Sequence, residues 1–421
     1  MRISKIHMEN FRSIAHAEID LDGQSALLFG VNGSGKSSVL QAINLIFERI
    51  ITKVVQNRFK QSVMMEGTDV RGGTTQCKIS VEFSLNGSTY TVGRQLDKKL
   101  NKRQDIHPKE LERFASDYMQ RFESVYFESP EQKSNIPIYV NYGVNRLVKN
   151  IPLRIRKTHI FDPLYAYENA IQSMVEFRTF FEWFRNREDY ENEVRSHEDP
   201  QYRDIQLQAV RQATEIMLPG FKDLCVKRNP LKLKMNKNGV YFDVGQLSDG
   251  EKCLLALVGD LARRASMANP ATANPLECEG IVLIDEIELH LHPTWQSTFV
   301  ESLQKMFPNI QFLLTTHSPQ VMVNLPDDIK IFRLDPVDSS FAFTEMQNLR
   351  GWDVNSILEN NMQTLSQNPE MRERISDAYK TIQHGEYDVA GVFVDELEKM
   401  TSNKNADVVR LRFLINRGSR K

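Results

Sequence analysis

Gly30-Val31-Asn32-Gly33-Ser34-Gly35-Lys36-Ser37 fits the pattern G-x-x-x-x-G-K-[ST]. Ahead of it, Ala26-Leu27-Leu28-Phe29 is a short apolar run with the character of a buried strand. Behind it, Ser38 to Ile50 carries the apolar periodicity of a helix. Strand, glycine-rich turn and helix form the context a phosphate-binding loop requires. The turn lets successive backbone N–H groups converge on phosphate oxygens, and the helix N-terminus adds the positive end of its dipole. In such a loop Asn32, Gly33, Ser34, Gly35 and Ser38 build the cradle, and Lys36 reaches the β and γ phosphates. The Ser37 hydroxyl is then a ligand for Mg²⁺. A Gly/Ser turn followed by a surface lysine would account for the letters but not for their flanks. The sequence therefore predicts a nucleoside-triphosphate site.

The 421 residues suffice for a large core and two or three lobes. With 41% hydrophobic and 26% charged residues the composition is that of an ordinary globular protein, and a formal net charge of -2 confines any nucleic-acid surface to a local patch. Cys77, Cys225, Cys253 and Cys278 are far apart and form no C-x-x-C pair, which argues against a zinc site or a disulfide framework and suits a reducing cytoplasm. No stretch has the roughly 18 apolar residues of a membrane span, and Met1-Arg2-Ile3-Ser4-Lys5 lacks the apolar core of a signal peptide, so a cytoplasmic location without membrane contact is expected.

Along the chain, Ile3 to Phe11 and Ala17 to Leu21 read as strands joined to the loop by an Asp22-Gly23 turn. Cys77 to Phe83 and Thr89 to Val92 alternate around Asn86-Gly87, a hairpin signal. A helix is expected from His107 to Phe122, a buried strand from Pro137 to Val144, and long helices over 163–217, where Phe177, Phe180, Phe181, Trp183 and Phe184 read as packing residues. Short strands return between Phe221 and Val244. A helix follows at 248–266, then a disordered-looking break at Ala268 to Asn274. Strand 280–285, helix 293–306 and strands 310–315 and 329–334 alternate as a parallel α/β sheet does. Beyond Trp352 the pattern is helical. The expected organisation is an α/β core in two halves, 1–160 and 221–350, around a helical insertion at 161–220, with a helical domain at 351–421.

The second half of the site lies in the second half of the core. Gly280-Ile281-Val282-Leu283-Ile284-Asp285-Glu286 is an apolar strand ending in two acids. Asp285 is placed to hold the Mg²⁺ shell and Glu286 to polarise the attacking water, as a general base. A buried strand ending in solvated carboxylates is the competing explanation, and the upstream loop outweighs it. Leu313-Leu314-Thr315-Thr316-His317 is a second apolar strand with a polar tip. His317 lies 31 residues after Glu286, a distance one strand–helix–strand unit spans, and can hydrogen-bond a γ-phosphate or the water. Leu247-Ser248-Asp249-Gly250-Glu251 opens an amphipathic helix with a capping box, and a capped N-terminus of this kind is also an anion site.

These motifs together resemble the ATP-binding-cassette (ABC) ATPases, in the branch that contains RecF, the SMC-type repair ATPases and the OLD-type defence proteins. Phe29 to Ser38 matches Walker A, and Ile281 to Glu286 matches Walker B. Leu247 to Glu251 matches the L-S-G-G-Q signature, with Asp249 and Glu251 departing from the transporter form. Glu288-Leu289-His290-Leu291-His292-Pro293 matches the D-loop region and His317 the switch histidine. Asn10-Phe11-Arg12-Ser13 resembles the branch's N-terminal motif, whose arginine often lies near nucleotide. The resemblance implies an α/β ABC-type core with a mixed, mainly parallel sheet and an antiparallel β subdomain. It implies ATP and Mg²⁺ as ligands, and a head-to-tail dimer or higher oligomer in which Ser248 and Gly250 of one copy contact the γ-phosphate held by the other. It makes His290 and His292 loop residues at the dimer face, not metal ligands. The Q-loop glutamine has no obvious counterpart, and Tyr142-Gly143-Val144-Asn145-Arg146 stands where it would be.

A narrower resemblance is to the stand-alone ATPases of prokaryotic antiphage systems, Septu-type or retron-associated, which act with a separate HNH nuclease. It is carried by Arg12, Tyr142-Gly143, Phe181-Glu182-Trp183-Phe184, Asp285 to Pro293 and Arg350-Gly351-Trp352. OLD proteins end in a nuclease domain; the 70 residues after Gly351 lack clustered metal-binding acids, so no nuclease is expected in this chain. The alternative is a RecF-type repair ATPase that clamps DNA, for which the basic segments Arg94 to Arg103, Lys149 to Lys157 and Lys222 to Lys237 offer a path. A transporter subunit is a poor third.

Overall fold

A computed structural model of the chain describes residues 1–56, 59, 63–123, 135–146, 162–337, 340–347, 349–352, 354–360, 369–401 and 406–418. In chain order its strands and helices are β1 (Arg2–Phe11), β2 (Ile14–Asp20), β3 (Ser25–Gly30), α1 (Lys36–Val54), β4 (Gln76–Leu85), β5 (Ser88–Asp97), β6 (Lys102–Asp105), α2 (Pro108–Tyr118), β7 (Ile138–Tyr142), α3 (Phe177–His197) and α4 (Ile205–Met217). These are followed by β8 (Phe221–Arg228), β9 (Leu231–Lys237), β10 (Val240–Asp243), α5 (Asp249–Ala268), β11 (Gly280–Ile284), α6 (Pro293–Met306), β12 (Ile310–Thr316), β13 (Ile329–Val337) and β14 (Ser340–Met346). Four helices complete the chain: α7 (Val354–Asn360), α8 (Pro369–Gln383), α9 (Tyr387–Thr401) and α10 (Ala406–Gly418).

Three sheets organise the first compact unit, Met1–Trp352. The central one has six strands in the order β14-β13-β3-β12-β11-β7, all parallel except the edge strand β14. Every residue of β3, β7, β11 and β12 is buried, because helices cover a parallel sheet on both faces and its strands must be apolar throughout. The register sets Phe29 beside Thr316, and Ile284 beside both Leu314 and Tyr142. The segments leaving β3, β12, β11 and β7 therefore emerge together at the carboxyl end of the sheet, where ligand sites of open α/β sheets are built.

The antiparallel sheet β2-β1-β4-β5-β6 and the small sheet β10-β9-β8 flank this core. The aromatic run on α3 is buried as expected, Phe180, Phe181, Trp183 and Phe184 all lying out of solvent. Two strands escape the sequence pattern. β6 is Lys-Arg-Gln-Asp and has no apolar period to detect, and β14 is an exposed edge strand with only its alternation to mark it. The break expected at Ala268 to Asn274 is ordered: Asn269 Nδ2 donates to Ala265 O at 3.1 Å, and Asn274 caps a short 3-10 turn by accepting from Leu276 N at 3.2 Å. Arg94 is also not part of a solvated basic face. Its guanidinium is buried against Glu48, 3.0 Å away, and the Leu45 carbonyl. The basic segment Lys149 to Lys157 lies outside the described residues.

The second unit, Asp353–Lys421, has its own core in α8, α9 and α10, made of Ile375, Ala378, Ala390, Val394, Leu397, Val408, Leu411 and Ile415. No helix among the described residues is long and apolar enough to cross a membrane.

Candidate nucleotide site

Gly35 ends the loop and caps α1 with φ 94°, and Gly33 has φ 79°. Side chains beyond Cβ-less glycine rarely adopt this left-handed region, so the two glycines let the loop coil without strain. Lys36 then turns its ammonium inward. Nζ donates to the carbonyls of Gly30 and Val31, each at 2.9 Å, and to Ser34 Oγ at 3.3 Å. Burial pushes this ammonium down to about 8, against the pull of Asp285, Glu288 and Glu286. Asn32, Gly33 and Ser37 are exposed on the loop, while Ser34 and Ser38 are buried under it. The turn carrying Arg12 and Ser13 abuts the loop, since a Cβ on Gly35 would stand 3.2 Å from Ser13 Oγ. Arg12 itself is engaged by Asp69, with Nε donating to Oδ1 at 2.9 Å.

The tips of β11 and β12 supply the facing wall. Asp285 Oδ1 accepts from Ser37 Oγ at 3.0 Å and from Thr315 Oγ1 at 2.6 Å, and the same Thr315 oxygen accepts the backbone N–H of Glu286 at 2.8 Å. Glu286 sits in the left-handed region at φ 48°, which a glutamate seldom enters. Its Oε1 lies 3.8 Å from His317 Nε2, with both side chains half-buried. Glu288 holds the histidine's backbone, accepting from His317 N at 2.6 Å and from Thr316 Oγ1 at 2.8 Å. Lys36, Ser37, Asp285, Glu286 and His317 thus converge, and oxygen donors on Ser37 and Asp285 are of the type Mg²⁺ selects.

The signature segment is linked to the same wall. Ser248 caps α5 in a reciprocal capping box with Glu251: Ser248 Oγ accepts the Glu251 N–H at 3.3 Å and Glu251 Oε2 accepts the Ser248 N–H at 2.9 Å. A Cβ on Gly250 would come within 2.5 Å of the His290 carbonyl, so only glycine lets this helix tip lie against the D-loop. His292 caps α6 through its ring, accepting from Thr294 N at 3.3 Å, a structural role. Deeper in α5, buried Asp260 accepts from Arg263, Arg264 and the Tyr142 hydroxyl at 2.7, 2.7 and 2.8 Å. Burial alone would raise this carboxyl, but Arg264 and Arg263 hold it well below the usual range. Thr315 was not singled out from sequence as part of the wall, and Glu288 and Arg146 entered only as members of the D-loop match and of the stretch at the Q-loop position. The signal for Thr315 was present, as a hydroxyl at the tip of an apolar strand.

The description "RecF/RecN/SMC N terminal domain" matches residues 2–339. The chain belongs to this family. It is 29% identical to the Retron Ec83 probable ATPase of Escherichia coli over 88% of this chain and 78% of the relative, and 27% identical to the Retron Vc95 probable ATPase of Vibrio cholerae over 79% and 73%. It is 23% identical to a Septu protein PtuA of Bacillus mycoides, over 85% of this chain but only 44% of that protein. Among solved structures, the SMC head bound to the C-winged helix domain of ScpA superposes with a TM-score of 0.51 over 82% of this chain and 98% of that one, at 15% identity, a likeness of fold. The RecF/RecN/SMC-type chain is accordingly an ABC-type ATPase with a nucleotide-binding core.

Proposed function

We propose that this ATPase binds ATP and Mg²⁺ in the Lys36 loop, closes head-to-tail on a second copy, and uses its nucleotide state to regulate a partner nuclease of the HNH type in antiviral defence. In this reading Ser37 and Asp285 hold the Mg²⁺, which neutralises charge on the phosphates. Glu286 takes a proton from the attacking water, His317 steadies the γ-phosphate, and Arg12 borders the nucleotide through the turn on Gly35. Ser248 and Gly250 close on the triphosphate held by the other copy, so ATP bridges two chains and hydrolysis removes the bridge.

The observation that carries the reading is the exposure of the Ser248 tip. It is bonded within its own capping box to Glu251, while the loop it would serve is folded on Lys36. The defence role draws its support from the retron-named and Septu-named relatives. The test is the solution mass of Glu286→Gln with MgATP: a shift from monomer to dimer is expected, and a species indifferent to nucleotide would end the reading. If an HNH nuclease is encoded beside this chain, co-expression with it is then expected to give a complex whose DNA cleavage responds to ATP.

A DNA clamp is the second reading. It is favoured by exposed Lys222 and Lys227 on β8, on the strand face that carries Lys232 and Lys234 of β9. Affinity for duplex DNA that falls steeply with salt, and rises with ATP in the absence of any nuclease, would select it.

A further inference from the structure

Arg146 is a deeply buried charge beside the site, at 1% exposure. It follows β7 in the stretch where a Q-loop residue would stand. That stretch is pinned from outside: Gly143 N donates to the Ser173 carbonyl at 3.2 Å, and Asn145 bridges to Met174. Its Nη2 donates to the carbonyl oxygen of Glu286 at 2.5 Å. Nε and Nη1 are fully enclosed and have no partner among the described residues. A cation held this way costs stability, because each enclosed donor has given up water without full return. The Asp285, Glu286 and Glu288 carboxylates and the Cys253 thiol near the start of α5 act on it electrostatically, against the burial that disfavours its charge.

What the single bond does is specific. The carbonyl it grips belongs to the residue held at φ 48°, and the same oxygen accepts from Leu289 N at 2.9 Å. The two donors together fix the peptide after Glu286 in an orientation the residue would otherwise leave. We propose that Arg146 is a positioning residue for hydrolysis: it locks the left-handed backbone of Glu286 and thereby aims the carboxylate at the attacking water. This rests on the reading of Glu286 as the general base.

The test uses the full chain and steady-state ATP hydrolysis. Arg146→Met fills the enclosed slot with an apolar side chain of similar length and removes both charge and donor. It is expected to keep its ATP affinity and its KM within about twofold while kcat falls roughly 10- to 100-fold, the usual cost of misplacing a reacting group. Arg146→Lys, which keeps the charge and one donor, is expected to recover part of that loss. In a Glu286→Gln background the methionine change is expected to cost little more, because both act through one carboxylate. A methionine variant with normal kcat overturns the proposal. So does one that does not fold or that loses ATP affinity, which would make Arg146 part of the scaffold, and so does a full, independent loss in the Glu286→Gln background. If Glu286→Gln alone hydrolyses at the normal rate, it is the general-base reading that fails.

Discussion

The Ser37 hydroxyl donates to the Asp285 carboxylate at 3.0 Å across 248 positions of sequence. One oxygen opens α1 and the other ends β11, and the parallel register of β3, β12 and β11 brings them together. Both are hard oxygen donors on separate elements, as a Mg²⁺ site bound jointly by protein and phosphate requires. Asp285→Asn removes the negative charge but keeps the shape. ATP affinity measured with Mg²⁺ is expected to fall at least about tenfold, and affinity measured in EDTA to change little. An equal loss in both conditions would make Asp285 a scaffold residue that happens to face Ser37.

Lys36 illustrates how a loop holds a cation ready. Its ammonium rests on the Gly30 and Val31 carbonyls, inside the turn that is to receive phosphate. Hydrogen bonds to charged groups contribute about 1.5–3 kcal/mol each. Losing two phosphate contacts in Lys36→Ala should therefore weaken ATP binding by about a hundredfold or more, read with a fluorescent ATP analogue. The fold should survive, since β3 and α1 hold the loop from both sides; of the two carbonyls the alanine releases, that of Val31 lies on an exposed residue and only that of Gly30 is buried. Normal nucleotide affinity in this variant would overturn the assignment of the loop.

Asp260 governs stability, and its effect has a definite sign with pH. Its folded carboxyl titrates below the ordinary value of about 3.9, so the stabilisation is complete above that value and is lost as pH falls through it towards the folded one. Asp260→Asn leaves Arg263 and Arg264 enclosed without their counter-ion and should cost about 3–5 kcal/mol at pH 7. Urea unfolding of the unit Met1–Trp352 is expected to show that gap at neutral pH and a narrower one below about pH 4. A gap that does not change with pH would mean the variant acts through packing and not through the charge.

Much of this was legible because each motif couples a backbone requirement to a chemical one. The glycines of the loop, the apolar runs of β3, β11 and β12 and the capping box at Ser248 all follow from local rules, and the structure forms these elements where the patterns run. What was not legible depends on contacts between distant segments. Thr315 looked like the polar tip of a strand; its hydroxyl ties Asp285 to the Glu286 backbone only because β11 and β12 are neighbours in register. Arg94 looked like part of a basic run and is instead an internal partner of Glu48, since alternation along β5 turns it inward. Gly250 read as a signature residue, but the need for glycine there comes from the His290 carbonyl. Single sequences carry period and propensity; they do not carry which strand lies beside which.

The head-to-tail arrangement has a sharper test than mass alone. Ser248→Arg places a long cation on the exposed helix tip, and Gly250→Ala drives the same tip off the His290 carbonyl, where a Cβ would stand at 2.5 Å. Both should bind ATP within about twofold of the natural chain, because the loop of Lys36 is untouched, yet both should turn over at least about tenfold more slowly. Each is then mixed with Lys36→Ala. If every composite site combines the loop of one chain with the helix tip of its mate, a mixed dimer of Lys36→Ala and Ser248→Arg concentrates both defects in one site and leaves the other intact. Random pairing makes half of the dimers mixed, each with one working site of two, so turnover should recover to roughly a quarter of the natural rate. If mixtures that do form dimers show no recovery, loop and helix tip serve the same chain, and ATP does not bridge two copies.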